Sequence, residues 1–276
     1  MNLIVQGPSA TAGQAEALAR FAGSAALAQT GPHAWRIRKA APSDEIAPYC
    51  ERERIDFAFM PEGRKLAGLR LLAMDMDSTL ITIECIDELG DLAGCKSEIA
   101  SITAQAMRGE LDYPQSLRKR VALLKGLPEG SLAHVYEERL RLTPGAEQLI
   151  AACKEHGVKL LLVSGGFTFF TERLRERLGI DYTLSNTLAI RDSKLTGELV
   201  GDIVDAQAKA AKFAAVVTEL CATREETVAI GDGANDLKMM ALAGTSVAFH
   251  AKPVVREQAT CAIRWCGLDA VVKLFE

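Results

Sequence analysis

The chain has 276 residues, above the usual single-domain size, so one main domain with an appendage is expected. At 49% hydrophobic and 25% charged it can bury a large core, while a net charge of −4 argues against nucleic-acid binding, which normally needs a basic patch. Seven scattered cysteines, odd in number and without a C-x-x-C pair, exclude a disulfide framework and point to reduced thiols in the cytoplasm.

Residues 1–66 read as a small α/β unit. Strands are expected at 3–5, 35–37 and 55–59, with helices over 15–27 and 43–53. Pro61-Glu62-Gly63-Arg64-Lys65 is polar punctuation and reads as a linker. No motif in this unit carries chemistry, and a role in dimerisation, in binding a regulatory ligand or as a structural appendage stays open. A chain starting near Lys65 would keep every motif described below.

From Leu69 the pattern becomes strand–helix alternation, the signature of a parallel sheet covered on both faces. The apolar run 69–74 is the first core strand. The interval 86–142 then holds only helical patterns, at 86–92, 97–107, 114–124 and 131–140, before a second strand at 158–163. Residues 188–200 read as a hairpin, 206–220 as a helix and 227–230 as a further strand. No stretch of about 18 uncharged apolar residues exists and no basic segment precedes an apolar run, so no membrane association is expected. His33, His134, His156 and His250 are dispersed without ligand spacing and are assigned no metal.

Four segments carry chemistry. Asp75-Met76-Asp77-Ser78-Thr79 closes the first core strand, where parallel α/β sheets place reactive groups. Two carboxylates this close need a cation or a proton between them. Taken alone, the segment is equally well read as a solvated turn. Ser164-Gly165-Gly166 closes the second strand and offers a hydroxyl and free N–H groups to a phosphate. Lys209, early in its helix, would be a surface residue without this context. Gly231-Asp232-Gly233-Ala234-Asn235-Asp236 converges two carboxylates and an amide after a buried strand. Cys85, beside Glu84, reads as a small buried hydrophobe.

In this order the four segments resemble the haloacid dehalogenase superfamily. With Glu84, Ser116-Leu117-Arg118-Lys119-Arg120-Val121, Phe167 and Asp205-Ala206-Gln207-Ala208-Lys209 they look like its phosphoserine phosphatases, over about residues 69–275. The resemblance implies a doubly wound parallel sheet over 67–276 with a small helical cap at about 86–142. It implies Asp75 as nucleophile and Asp77 as the acid that becomes the base. Asp75, Asp232 and the backbone carbonyl of Asp77 would bind Mg²⁺, with Asp236 orienting that shell. Ser164, Gly165, Lys209 and Asn235 would hold the phosphoryl group. Glu84 and Arg120 would meet the ammonium and carboxylate of O-phosphoserine, the small-molecule substrate, and Met107 and Tyr113 would close the pocket. Two alternatives stay open: a related enzyme for another small phosphomonoester such as phosphohomoserine, and a catalytically silent sensing protein, which would be expected to have lost at least one motif.

Overall fold

A computed structural model describes residues 1–276. The chain begins with β1 (Asn2–Gln6), α1 (Ala12–Phe21), β2 (Leu27–Gly31), β3 (Ala34–Ile37), α2 (Ile46–Glu53) and β4 (Asp56–Met60). β5 (Leu71–Met74) leads into a wide turn over Met76–Leu80 and four helices: α3 (Cys85–Leu92), α4 (Lys96–Met107), α5 (Tyr113–Ala122) and α6 (Gly130–His134). Next come α7 (Ala146–Glu155), β6 (Lys159–Phe167), α8 (Thr168–Leu178), β7 (Tyr182–Arg191), β8 (Lys194–Val200) and α9 (Ala206–Glu219). β9 (Thr227–Gly231), α10 (Leu237–Met240), β10 (Thr245–Phe249), α11 (Pro253–Gln258) and β11 (Cys261–Ile263) follow, and a 3-10 helix over Leu268–Leu274 ends the chain. The fold is α/β with a parallel-rich central sheet and a separate four-stranded sheet, as the strand–helix alternation predicts. Two compact units form: residues 1–72, 144–159 and 217–276, and residues 73–143 and 160–216.

In the first unit, β2-β3-β1-β4 pair antiparallel in that order. α1 and α2 bury Ala15, Leu18, Ala19, Ile46 and Cys50 against Leu3, Val5, Trp35 and Ile37 of this sheet. α1 is shorter than the Ala-rich run predicts. It starts with a capping box between Thr11 and Gln14. It ends where Gly23 turns left-handed (φ +63°), with the Ser24 N–H bonded to the Ala19 carbonyl. Leu27, expected in the helix, therefore opens β2. The same unit contains β9, β10 and β11, paired parallel.

The first sixty residues are stitched to the C-terminal segment by buried polar groups. The Asp56 carboxylate accepts the backbone N–H groups of Arg264, Trp265 and Cys266 at 2.7, 3.1 and 2.9 Å. Arg36 donates to the carbonyls of Phe275 and Lys273 and pairs with Glu276 at 3.2 Å. Gln6 donates to the Ala270 carbonyl. Burial lifts the Asp56 pKa even though three donors favour its charge. Removing this acceptor strands three N–H groups, and each unsatisfied buried group costs about 1–3 kcal/mol. Asp56→Ala should therefore lower stability by roughly 3 kcal/mol or more, read as a drop of the thermal midpoint on the order of 10 °C. A midpoint within a degree of the parent would show that the stitch contributes nothing.

In the second unit the cap leaves and returns side by side. Thr82 N–H bonds the Arg141 carbonyl, Thr143 N–H bonds the Leu80 carbonyl, and Ile81 bridges Leu142 between them. The last of the four helices after β5, expected over 131–140, runs as α6 and continues without a break in a wider π-helical turn over Val135–Arg139. Arg139 from that turn pairs with Glu88 and Asp91 of α3 at 2.6 and 2.7 Å. β6 and β7 pair parallel, and β7 and β8 form the expected hairpin. Asp192 and Ser193 at its tip both take positive φ, the turn whose twist matches the flanking strands.

Candidate active site

Asp75 ends β5, and the chain behind it cannot continue as a strand. Ser78 takes φ +56°, and the Leu80 and Ile81 N–H groups reach back to the carbonyls of Asp75 and Met76. This tight turn places the two aspartates at the strand's carboxyl end. Asp75 is 5% exposed and accepts the Met76 N–H at 2.7 Å. Lys209, from the first turn of α9, brings its Nζ to 2.9 Å from Asp75 Oδ1. At 1% exposure it is among the most deeply buried side chains in the chain. Asp205 starts α9 by accepting the Ala208 N–H at 2.8 Å.

Asp77 has different surroundings. Its Oδ1 accepts the Cys85 N–H at 3.2 Å. Desolvation, with the nearby Glu84 charge second, pushes its pKa up to about 7, against the opposing effects of Cys85 and Lys209. Cys85 is buried as the sequence suggests, yet it also hydrogen-bonds this carboxyl. Glu84, at the cap's first helix, accepts from Ser78 Oγ at 2.6 Å.

The Ser164-Gly165-Gly166 segment is a bulge in β6. Val163 pairs with Leu184 and Phe167 with Asn186, so four steps along β6 answer two along β7. The Gly166 N–H donates to Ser164 Oγ at 2.8 Å. A Cβ on Gly166 would sit 2.7 Å from Asp77 Oδ2, 2.8 Å from Met76 Cε and 3.0 Å from Ser164 Oγ, so any larger residue would push these side chains from the positions seen. A Cβ on Gly165 would collide with the Tyr113 hydroxyl.

Tyr113, from α5 of the cap, donates to the Gly165 carbonyl at 3.3 Å. Burial lifts its pKa to about 12, so it stays a neutral donor. Arg120 lies two turns further along α5, its Nε directed to the Ser116 carbonyl at 3.4 Å, and its charge is felt by Tyr113 and Asp87. Met107, expected at the pocket, is 68% exposed at the end of α4. In the other unit, Asp236 is fully buried and accepts the Gly233 N–H at 3.1 Å. Its side chain packs where a Cβ on Gly231 would lie, and Asn235 does the same at Gly233; Asp232 is half-buried on the same turn.

Residues 72–241 match the haloacid dehalogenase-like hydrolase family. A phosphoserine phosphatase from Polaromonas sp. is 56% identical over 215 residues, 76% of this chain and 91% of the relative. The chain belongs to the phosphoserine phosphatases of the haloacid dehalogenase-like hydrolases. A crystal structure of a probable phosphoserine phosphatase from Vibrio cholerae, unliganded, superposes with a TM-score of 0.87 at 40% identity, covering 99% of this chain and 86% of that one. A phosphoserine phosphatase captured as a phospho-aspartyl intermediate analogue superposes at TM-score 0.71 and 39% identity, covering 75% of this chain and 99% of that one. A quarter of this chain has no counterpart in the latter.

Sequence reasoning missed Asn186. It is 2% exposed, donates to the Gly165 carbonyl at 2.8 Å, and accepts the Val204 N–H at 2.9 Å. The available signal was an asparagine inside a strand of Tyr, Thr and Leu, where its propensity is poor.

The crowding around Gly166 gives a direct test. Gly166→Ala forces Asp77 or Ser164 aside by a few tenths of an ångström to an ångström, and misplacement of that order costs about 10²-fold in rate. The variant should keep the parent's thermal midpoint while kcat/KM falls by roughly that factor. Full activity would mean that Asp77 does not work from the position seen.

Proposed function

We propose that the protein hydrolyses O-phosphoserine to serine and inorganic phosphate through a phosphoaspartyl intermediate on Asp75. The observation that carries this reading is the split between the two aspartates. Asp75 Oδ1 lies 2.9 Å from the buried Lys209 ammonium, and burial lifts the Asp77 pKa to about 7, where one group can give a proton and later take one.

The Asp75 carboxylate, held in place by Lys209, supplies the attacking oxygen. Attack breaks the bond between phosphorus and the serine oxygen, and Asp77 delivers a proton to that departing oxygen. Asp77, now a carboxylate, accepts a proton from the water that attacks the aspartyl phosphate, releasing phosphate and restoring Asp75. Ser164 Oγ, the Gly165 N–H, Lys209 and Asn235 are the donors assigned to the phosphoryl oxygens. Carboxylate and carbonyl oxygens are the hard donors that Mg²⁺ takes, and Asp75, Asp232 and the Asp77 backbone carbonyl would hold it, with Asp236 orienting Asp232. When bound, the ion neutralises part of the phosphoryl charge. Glu84 and Arg120 are assigned to the ammonium and carboxylate of the substrate, the guanidinium gripping the latter through paired hydrogen bonds. Tyr113, lying on Gly165, supports closure of the cap over the reacting groups.

No helix is long and apolar enough to cross a membrane. We also infer a cytoplasmic setting, supported by seven free cysteines. The exposed edge strand β2 supports a pairing role for the N-terminal sheet in a homodimer.

The test is steady-state hydrolysis of O-phosphoserine, phosphohomoserine and phosphoethanolamine, with Mg²⁺ and with chelator. Losing the partner of a buried charge costs about 2–5 kcal/mol, so phosphoserine should exceed phosphoethanolamine by roughly thirtyfold or more in kcat/KM. Arg120→Ala should erase most of that preference by slowing phosphoserine alone. Equal slowing of both esters would assign Arg120 to the phosphate or the fold, and comparable hydrolysis of both by the parent would replace this reading with a general phosphomonoesterase.

A further inference from the structure

We infer that Asn186 and Tyr113 act as a clamp on the Gly165–Gly166 peptide that orients the Ser164 hydroxyl as a donor toward the phosphoryl group. The inference rests on the reaction proposed above and adds to it two positioning residues and the atom they act through.

The peptide plane is held at both ends. Its carbonyl oxygen, on Gly165, accepts Asn186 Nδ2 at 2.8 Å and the Tyr113 hydroxyl at 3.3 Å. Its N–H, on Gly166, points the opposite way because the peptide is trans, and donates to Ser164 Oγ at 2.8 Å. The orientation of the Asn186 amide is itself fixed. The Val204 N–H donates to Oδ1 at 2.9 Å, which leaves Nδ2 facing Gly165. Asn186 stands opposite Phe167, where the β6 bulge rejoins the β7 register, so it fixes the end of the segment that carries the phosphate-binding groups.

The consequence lies in the hydroxyl's hydrogen-bond inventory. Ser164 Oγ is fully buried and offers one donor and two acceptor positions. With one acceptor position filled by the Gly166 N–H, the hydroxyl is held in place with its proton available to a phosphoryl oxygen, which can only accept. Without the clamp, glycine peptides on both sides would let the plane rotate, and Oγ would lose the N–H that sets its polarity. The two clamping donors differ in strength. The Asn186 contact has ordinary length and comes from a buried side chain, whereas the Tyr113 contact is long and comes from the helices that cover the site. Tyr113 thereby links cap closure to the polarity of Ser164.

The experiment compares the parent with Asn186→Asp, Tyr113→Phe and Ser164→Ala, and with Asn186→Asp in the Ser164→Ala background. Phosphate affinity is read as product inhibition and by calorimetric titration with inorganic phosphate in the presence of Mg²⁺, and folding by thermal midpoint. Asn186→Asp keeps size and the Val204 contact but replaces the donor by a carboxylate oxygen. It should weaken phosphate binding and lower kcat/KM at least tenfold, the worth of one hydrogen bond, in folded protein. Tyr113→Phe should do the same by a few-fold. In the Ser164→Ala background, Asn186→Asp should cost little further, because its effect passes through Ser164. Additive losses in the double variant, or parent-like phosphate affinity in either Asn186→Asp or Tyr113→Phe, would overturn the clamp. If Asn186→Asp fails to fold, Tyr113→Phe alone and combined with Ser164→Ala decides by the same criteria. A parent that does not hydrolyse O-phosphoserine but binds phosphate would overturn the proposed reaction while leaving the clamp testable by titration.

Discussion

The buried ion pair between Lys209 and Asp75 is the constraint on which the candidate site depends. An ammonium that is 1% exposed is tolerable only beside a partner, because removing a charge from water costs several kcal/mol unless another charge and hydrogen bonds offset it. The pair therefore fixes both groups. Asp75 is held at the end of β5, and Lys209 is held beside it. The remaining features follow. The left-handed Ser78 ends the strand abruptly enough to bring Asp77 back toward the bulge, and the missing side chain of Gly166 leaves the space Asp77 needs. Two carboxylates in one tripeptide end in different surroundings, one paired with a buried cation and the other with its pKa raised by burial and by Glu84.

The phosphate-binding segment shows how the fold makes a site from a strand irregularity. A regular β6 would direct Ser164 and Gly166 into the ladder. The bulge frees them, and β7 returns the strand to register at Asn186. The cap adds Tyr113 to the same carbonyl, so contact between cap and bulge is a hydrogen bond as well as apolar cover. The N-terminal sheet's polar stitching through Asp56, Arg36 and Gln6 to residues 264–276 gives it a structural role in its own unit, stronger than a linker at 61–65 implies.

What was legible in the sequence was legible for identifiable reasons. Apolar runs followed by Asp, Ser or Gly clusters located β5, β6 and β9 and the groups at their ends. Helical periodicity found the helices between β5 and α7, and Asp192-Ser193-Lys194 marked the hairpin turn. Lys209 could not be distinguished from a solvated lysine by spacing; only the ordered set of motifs singled it out. α1 was read too long because alanine favours a helix regardless of context, while the stop depended on Gly23 taking a left-handed conformation. Asn186 and Asp56 were missed because their importance lies in backbone groups far away in sequence, which residue pattern does not encode. Met107 shows the converse, a position singled out by resemblance that is exposed in this structure.

The central claim is that Asp75 becomes covalently phosphorylated, and chemical trapping of that intermediate tests it most directly. Enzyme mixed with O-phosphoserine labelled in the phosphate, quenched in acid within milliseconds and digested should yield label on the peptide containing Asp75, released by hydroxylamine as expected of an acyl phosphate. The label should be absent from Asp75→Asn protein that is folded by thermal midpoint. Label on a serine or histidine peptide, or turnover by undeamidated Asp75→Asn protein, would contradict the account.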